Sequence, residues 1–119
     1  MDESRLGVVE SRFADLLWQN APISSGELVK LCEKEMSWKK STTYTMLRRL
    51  CQRGLFENRA SVVYTLVTRD EFYTRQSRQF VEETFSGSLP AFLAAFTAKS
   101  TLSDEEISQL QQLIDRHRR

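Results

Sequence analysis

Glycine and proline are scarce in this 119-residue chain, which contains four glycines and two prolines. Because both residues interrupt regular structure, their scarcity predicts long helices with few breaks. The chain also lacks a run of about 18 apolar residues, the length needed to cross a bilayer as a helix. Its first ten residues, MDESRLGVVE, lack the apolar stretch of a secretory signal. We therefore expect a cytoplasmic protein with no segment inserted in a membrane.

Cysteine and histidine are also rare, with two cysteines and one histidine. Cys32 and Cys51 are too few for a disulfide scaffold, and we expect them to fill core space as free thiols. His117 stands alone near the C-terminus without partners for a metal site. There is no Gly-rich phosphate loop, no Ser-His-Asp order and no H-E-x-x-H motif. We therefore predict no metal, no cofactor and no enzymatic activity.

The first 68 residues show three helical patterns followed by two short β-type runs. Helices are predicted over about 8–20, 24–36 and 40–53, and Ser24 with Glu27 forms a capping-box pattern at the second. Gly54 follows the third helix, where a left-handed residue commonly ends a helix. The β-type runs, 55–57 and 62–66, are separated by 58–61, a linker of hairpin length. This order is typical of the winged helix-turn-helix.

After residue 68 the pattern changes to three amphipathic helices, predicted over about 70–85, 89–99 and from Ser103 onward. Ser103 and Glu106 form a second capping-box pattern at the start of the last helix. Three helices in about 50 residues are too small a unit to bury their apolar faces alone. We therefore predict a mainly α protein with a small β-hairpin wing: a winged-helix DNA-binding domain over 1–68 and a helical dimerisation region over 69–119. The residues assigned to the dimer contact are Phe80, Phe85, Phe92, Phe96, Ile107, Leu110, Leu113 and Ile114. An alternative is that the aromatic residues line a small-molecule pocket.

The third helix has two chemically different faces. If Thr43, Met46, Leu47 and Leu50 face inward, steps of 100° place Ser41, Tyr44, Thr45, Arg48 and Gln52 outward, with Thr42 and Arg49 at the boundary. The outward face has no carboxylate. Arginine can pair with guanine O6 and N7, the threonine methyl suits thymine, and hydroxyl groups suit phosphates. The pattern favours a helix that lies in the major groove of DNA.

The net charge of +1 conceals a local concentration of positive charge. Residues 37–60 contain six basic residues and one acid, a net charge of +5, while the remainder of the chain carries −4. Such a segment is an electrostatic footprint for phosphates. The residues we predict to contact DNA are Lys39, Lys40, Ser41, Thr42, Tyr44, Thr45, Arg48, Arg49 and Arg59. Two alternatives remain: a merely solvated face, and a protein-interaction module that docks an acidic partner.

Three stretches resemble the penicillinase repressor (BlaI/MecI/CopY) family of bacterial transcriptional repressors. They are LGVVESRFADLLWQNAPIS, then WKKSTTYTMLRRLCQRGL, and finally SRQFVEETFSGSLPAFLAAF with LSDEEISQLQQLID. In the second stretch the residues in register are Trp38, Thr42, Thr45, Leu47, Arg49, Leu50 and Gly54. The resemblance implies a homodimer that binds a palindromic operator in double-stranded DNA and represses transcription, as the regulators of antibiotic resistance do.

The sequence departs from the family pattern at three places. Lys39 and Lys40 replace the usual Ser-Pro after the tryptophan, which adds charge that attracts phosphates. The resistance regulators are cleaved beside a phenylalanine after a membrane sensor protease is activated, and the matching bond here is Ala95–Phe96, with alanine in place of asparagine. The copper-responsive members carry Cys-x-Cys pairs, but no cysteine follows Cys51. Release by a small-molecule ligand is the alternative to release by proteolysis.

Overall fold

A computed structural model describes residues 5–119. Its helices and strands are α1 (Val8–Asn20), β1 (Ile23–Ser24), α2 (Ser25–Met36), α3 (Lys40–Gln52), β2 (Phe56–Arg59), β3 (Val62–Thr65), α4 (Arg69–Phe85), α5 (Leu89–Thr97) and α6 (Asp104–Arg116). The predicted fold class, a winged helix followed by helices, is confirmed. None of the described helices has the length and apolar character needed to span a membrane. The prediction about a secretory signal partly concerns residues 1–4, which lie outside the described residues.

The chain forms two compact units, one extending through Gln79 and the other from Phe80 to Arg119. The boundary therefore falls inside α4, eleven residues beyond the predicted division at 68/69. Phe72 gives the physical reason, because its ring is buried in the core of the first unit. The start of α4 consequently belongs to the winged helix. The assignment of DNA binding to 1–68 and of dimerisation to 69–119 stays a prediction.

The wing is part of a three-stranded antiparallel sheet with the order β1-β3-β2. The predicted linker over 58–61 is wrong, since Asn58 and Arg59 pair with Val63 and Val62 in the sheet. Only two residues form the turn, Ala60 and Ser61, with φ angles of 50° and 63°. Positive φ at both positions is the geometry of a type I′ turn, which matches the twist of a hairpin. The sequence pattern gave no sign of this turn because neither residue is glycine or asparagine.

The core of the first unit is built from one face of each helix and from the sheet. Its largest fully buried side chains include Phe13 and Leu17 of α1, Leu28 of α2, and Phe56 and Val63 of the sheet. The predicted inward face of α3 is confirmed, because its four residues, Thr43, Met46, Leu47 and Leu50, are all buried.

The two cysteines are free and differ in burial. Cys32 is completely buried, as predicted for a core residue, whereas Cys51 is half-buried. Burial raises the pKa of the Cys32 thiol, and it also raises the pKa of the Cys51 thiol. Both thiols are therefore held in the protonated, weakly nucleophilic form.

The second unit is organised around a chain of aromatic rings. The Phe80 and Phe92 centroids lie 6.1 Å apart, Phe85 and Phe92 5.6 Å apart, and Phe92 and Phe96 5.8 Å apart. Ser88 caps α5 by accepting a hydrogen bond from the Ala91 amide. The capping box predicted for the last helix is present, with Ser103 and Glu106 bonded in both directions.

Candidate nucleic-acid interface

Local packing fixes where α3 begins. Ser37 has a left-handed backbone (φ 55°) that ends α2. The Trp38 ring then packs on Phe13 of α1 with a centroid distance of 5.2 Å. Lys39 is the N-cap of α3, and its carbonyl accepts the first hydrogen bond of the helix, from the Thr43 amide. Trp38 therefore anchors the chain to α1 just before the basic start of α3. Its apolar character alone did not reveal this role.

The N-terminus of α3 differs from those of α2, α5 and α6. Serine side chains cap those three helices, whereas no side chain caps α3 or α1. The amide groups of its first turn have no acceptor within the helix. Uncapped amides and the positive end of the helix dipole together favour an anion, and phosphate is the anion that such a terminus commonly holds.

Six of the predicted contact residues are exposed along α3. They are Lys40, Ser41, Thr42, Thr45, Arg48 and Arg49. The Thr45 hydroxyl donates to the Ser41 carbonyl at 2.9 Å, so its hydrogen is used within the helix. Thr45 can therefore offer a partner its methyl group and its oxygen lone pair, but not a free donor. Arg49 Nη1 lies 3.7 Å from Met46 Sδ, which ties its guanidinium to the edge of the buried face.

Tyr44 corrects the helical-wheel prediction, which placed it outward. Its ring is half-buried, and its hydroxyl lies 3.4 Å from Ser25 Oγ at the start of α2. The Lys40 ammonium lies 5.9 Å from the centre of the ring. Tyr44 thus links α2, α3 and Lys40, and the wheel missed this because the position of α2 is a tertiary feature. The structure therefore leaves only part of the Tyr44 side chain exposed to a partner.

The six cations of the basic segment fall into two groups. Arg53 Nη1 lies 3.3 Å from Glu10 Oε2, and Arg59 Nε lies 3.2 Å from Glu57 Oε2. Among residues 5–119 the other four have no ion-pair partner, and they are Lys39, Lys40, Arg48 and Arg49. The unpaired positive charge is therefore concentrated at the start and on the outer face of α3.

Arg59, predicted to make the wing contact, is held on the surface of the sheet. Its guanidinium carbon lies 4.4 Å from the centre of the Tyr64 ring, and its charge is shared with Glu57. Glu57 and Arg59 are two positions apart on β2, so they share one face of the strand. That spacing could have indicated the ion pair from sequence. Arg59 has less charge to offer a phosphate than the free cations of α3.

None of the eight apolar residues predicted at the dimer contact is fully buried within the chain. Phe96 is 68% exposed, Ile114 53%, Leu113 46% and Ile107 41%. The others, Phe80, Phe85, Phe92 and Leu110, are half-buried. The Ala95–Phe96 bond, predicted as the cleavage site, lies inside α5. Among residues 5–119 no group of three or more His, Cys, Asp or Glu side chains is arranged to hold a metal.

The fold defines the class: a winged helix-turn-helix with an exposed basic helix, continued by a helical region. A family model described as Penicillinase repressor matches residues 6–116. The chain therefore belongs to the penicillinase repressor family, a family of transcriptional repressors and not of enzymes, as the sequence resemblance implied.

Two curated relatives illustrate the similarity over nearly full length. The penicillinase repressor of Bacillus licheniformis is 27% identical over 107 residues, covering 87% of this chain and 84% of the relative. The methicillin resistance regulatory protein MecI of Staphylococcus aureus (strain Mu50 / ATCC 700699) is 22% identical over 111 residues, covering 90% of each.

Proposed function

We propose that this chain is a dimeric repressor that places α3 in the major groove of a palindromic operator. The observation that carries the proposal is the group of four cations, Lys39 at the N-cap and three on α3, without an ion-pair partner among residues 5–119. Lys39 and Lys40 lie at the uncapped N-terminus, where they and the backbone amides would hold phosphates. Arg48, farther along the outer face, would reach base edges.

The apolar surface of the second unit supports the proposed dimer. The eight residues from Ile107 to Ile114 carry no charge, and three of their four apolar side chains are exposed in a single chain. Phe96 of α5 is exposed as well. Apolar faces of this kind are buried in obligate homodimers, whose interfaces resemble protein cores. A two-fold dimer would present two α3 helices to two half-sites of opposite orientation.

We further propose that the genes controlled concern antibiotic resistance, as the names of the relatives suggest, and that proteolysis triggers release, as the resemblance to the resistance regulators implies. The candidate bond, Ala95–Phe96, lies in the last turn of α5, which ends at Thr97. Proteases prefer exposed, locally unfolded segments, so cleavage there requires unwinding of that last turn. A protease activated by a membrane sensor would act on a form of the second unit in which the end of α5 is open.

In vitro selection tests the DNA-binding proposal directly. The full-length protein is incubated with random duplex DNA, and the bound molecules are sequenced. We expect a two-fold symmetric motif, with half-site centres about 34 Å apart or a multiple of that distance. Affinity for the selected duplex should fall steeply with salt, because each neutralised phosphate releases counterions. Selection of no motif, or of an asymmetric one, would contradict the proposal.

The two alternative functions predict different results with the same protein. A protein-interaction module would show weak, sequence-independent binding to DNA and would prefer an acidic polypeptide such as polyglutamate. A ligand-released repressor would bind the selected duplex and would gain thermal stability with a small apolar ligand. In this structure the rings of Phe80, Phe85 and Phe92 contact one another, which favours a packed cluster over an open pocket.

A further inference from the structure

The start of α4 is attached to α1 by a charged contact backed by an aromatic ring. Arg69 Nε lies 3.0 Å from Asp15 Oδ1. The guanidinium carbon of Arg69 lies 4.8 Å from the centre of the Tyr73 ring, one helical turn farther along α4. The ion pair and the stacking act on the same exposed guanidinium from two directions, so both contacts favour the placement of Arg69 against α1.

Trp18 of α1 supplies the second attachment. Its ring lies 5.8 Å from the Phe72 centroid and 6.0 Å from the Tyr73 centroid. Its indole N–H donates to the Val67 carbonyl at 2.9 Å, just before α4 begins. We call Asp15, Trp18, Arg69 and Tyr73 the α1–α4 cluster. The cluster fixes the start of α4 on the winged helix at several points.

Reciprocal hydrogen bonds at the first turn fix the direction in which α4 leaves. The Glu71 amide donates to Thr68 Oγ1 at 3.1 Å, and the Thr68 amide donates to Glu71 Oε1 at 3.4 Å. This is the arrangement of a capping box, which sets the point where a helix starts. The direction of the first turns of α4 is therefore built into the winged-helix unit.

The same helix α1 also holds α3. Glu10 of α1 pairs with Arg53 at the end of α3 at 3.3 Å, and Phe13 packs on Trp38 just before α3 begins. Through Glu10 and Phe13, α1 thus contacts the two ends of the proposed recognition helix, α3. Through Asp15 and Trp18, it contacts the start of α4.

From this arrangement we infer that the α1–α4 cluster determines which half-site spacing the repressor accepts. The inference rests on the proposed function, since it requires a dimer bound to two half-sites. Each base pair added between half-sites moves them apart by about 3.4 Å and turns them by roughly 35°. In the proposed dimer, an α4 start attached to the winged helix would resist such a shift of the two α3 helices, whereas a loosened start would let them adjust. Arg69 and Tyr73 are positioning residues, and neither is expected to contact DNA.

The test uses the full chain and the symmetric duplex obtained by selection. A series of duplexes is made with one or two base pairs removed or added between the half-sites. For the unmodified protein we expect affinity to fall about tenfold or more at a change of two base pairs, because one half-site is then lost. For the Arg69→Ala/Tyr73→Ala variant we expect a loss of less than about threefold over the same series.

Three controls separate positioning from simple damage. Affinity for a duplex with a single half-site should be the same for the variant and the parent, which shows an intact winged helix. Arg75→Ala, at an exposed position on α4, and Tyr73→Phe, which keeps the ring, should both retain the parent's spacing profile. If the double variant does not fold, Asp15→Asn removes the ion pair at the surface. This variant should also make affinity depend less on half-site spacing than it does in the parent.

The inference would be overturned if affinity fell equally steeply with spacing in the parent, the double variant and Asp15→Asn. The proposed function would then remain intact. If the parent selects no symmetric duplex, the proposed function fails and the inference falls with it. The inference would also be overturned if Arg75→Ala reduced the dependence of affinity on spacing as much as the double variant does. Loss of that dependence would then follow from any substitution on α4 and not from the α1–α4 cluster.

Discussion

Arg48 and Arg49 are neighbours on α3 and are both exposed, yet their surroundings differ. Arg49 rests against Met46 Sδ at the edge of the core, while the side chain of Arg48 has no hydrogen-bond or ion-pair partner among residues 5–119. An exposed guanidinium without such a partner can turn toward a base edge at little cost in lost contacts. Arg48 is therefore the residue on α3 that is best placed for base readout.

We predict that Arg48→Ala weakens operator binding by about 1–3 kcal/mol and relaxes preference at one base pair in each half-site. The reason is the loss of a bidentate contact with guanine. The measurement is competition binding against a set of operators with single substitutions. Lys39→Ala is the matched control, since it should weaken binding to every duplex and reduce the salt slope by about 1. Uniform weakening by Arg48→Ala would assign Arg48 to a phosphate instead.

The cysteines yield a prediction about alkaline pH. Since burial raises the pKa of the Cys32 thiol above its ordinary value of 9.0, the folded state binds this proton more tightly than the unfolded state does. The resulting stabilisation is complete below pH 9 and is lost as the pH rises through the raised pKa. The free energy of unfolding should thus fall as the pH rises above 9.0, and less so in Cys32→Ala. Equal falls in both proteins would show that Cys32 does not contribute.

At the scale of elements, the helices follow from local sequence, whereas the sheet does not. α1 has the bounds that its apolar spacing predicts, and Gly54 has the expected left-handed backbone after α3. The strand at Ile23–Ser24 is too short to show any alternation, and it exists only because β3 lies beside it. The turn at Ala60 and Ser61 is imposed by the pairing of the strands on either side, against the preference of both residues.

We predict that Ala60→Gly increases the free energy of unfolding by about 0.5–1 kcal/mol. Glycine removes the steric cost of φ 50° at this position, and part of the gain is offset by the greater freedom of the unfolded chain. Urea unfolding monitored by far-UV circular dichroism, which reports on the helices of both units, gives the value. Ala94→Gly, at an exposed position inside α5, should instead cost about 1 kcal/mol. If both substitutions destabilise the protein, the turn is not strained.

At the scale of the whole molecule, the first unit has a closed core while the second leaves apolar residues exposed. Phe13, Leu17 and Leu28 are completely buried in the first unit, but no residue of α5 or α6 is buried. A chain cut after Thr68 would lose Phe72 from the first core, so such a truncation would test stability as well as dimerisation. A single charge placed on the exposed face of α6 separates the two effects.

We predict that Ile114→Asp yields a monomer with operator affinity reduced by about a hundredfold, because one half-site is then bound instead of two. Ile114 is 53% exposed within the chain, so its replacement leaves the core of each unit unchanged. Sedimentation velocity reports the mass, and a mobility shift reports binding. Gln112→Asp adds the same charge on the opposite side of α6 and should remain dimeric. A dimeric Ile114→Asp protein would move the interface away from this face of α6.

The sequence by itself determined the order of the helices, the inward face of α3, the capping box of α6 and the family, because each depends on residues near one another in the chain. Tertiary structure alone decided that Arg53 is neutralised, since it meets Glu10, 43 residues away, and that Tyr44 turns toward Ser25, because α2 lies there. It also placed Arg69 against Asp15 across 54 residues. Pairing between charges that are far apart in the sequence depends on distance in space, which spacing along the chain does not encode. Residues 37–60 carry a net charge of +5. In the folded chain, the cations of this segment without an ion-pair partner among residues 5–119 are four, and they lie at the start and on the outer face of α3.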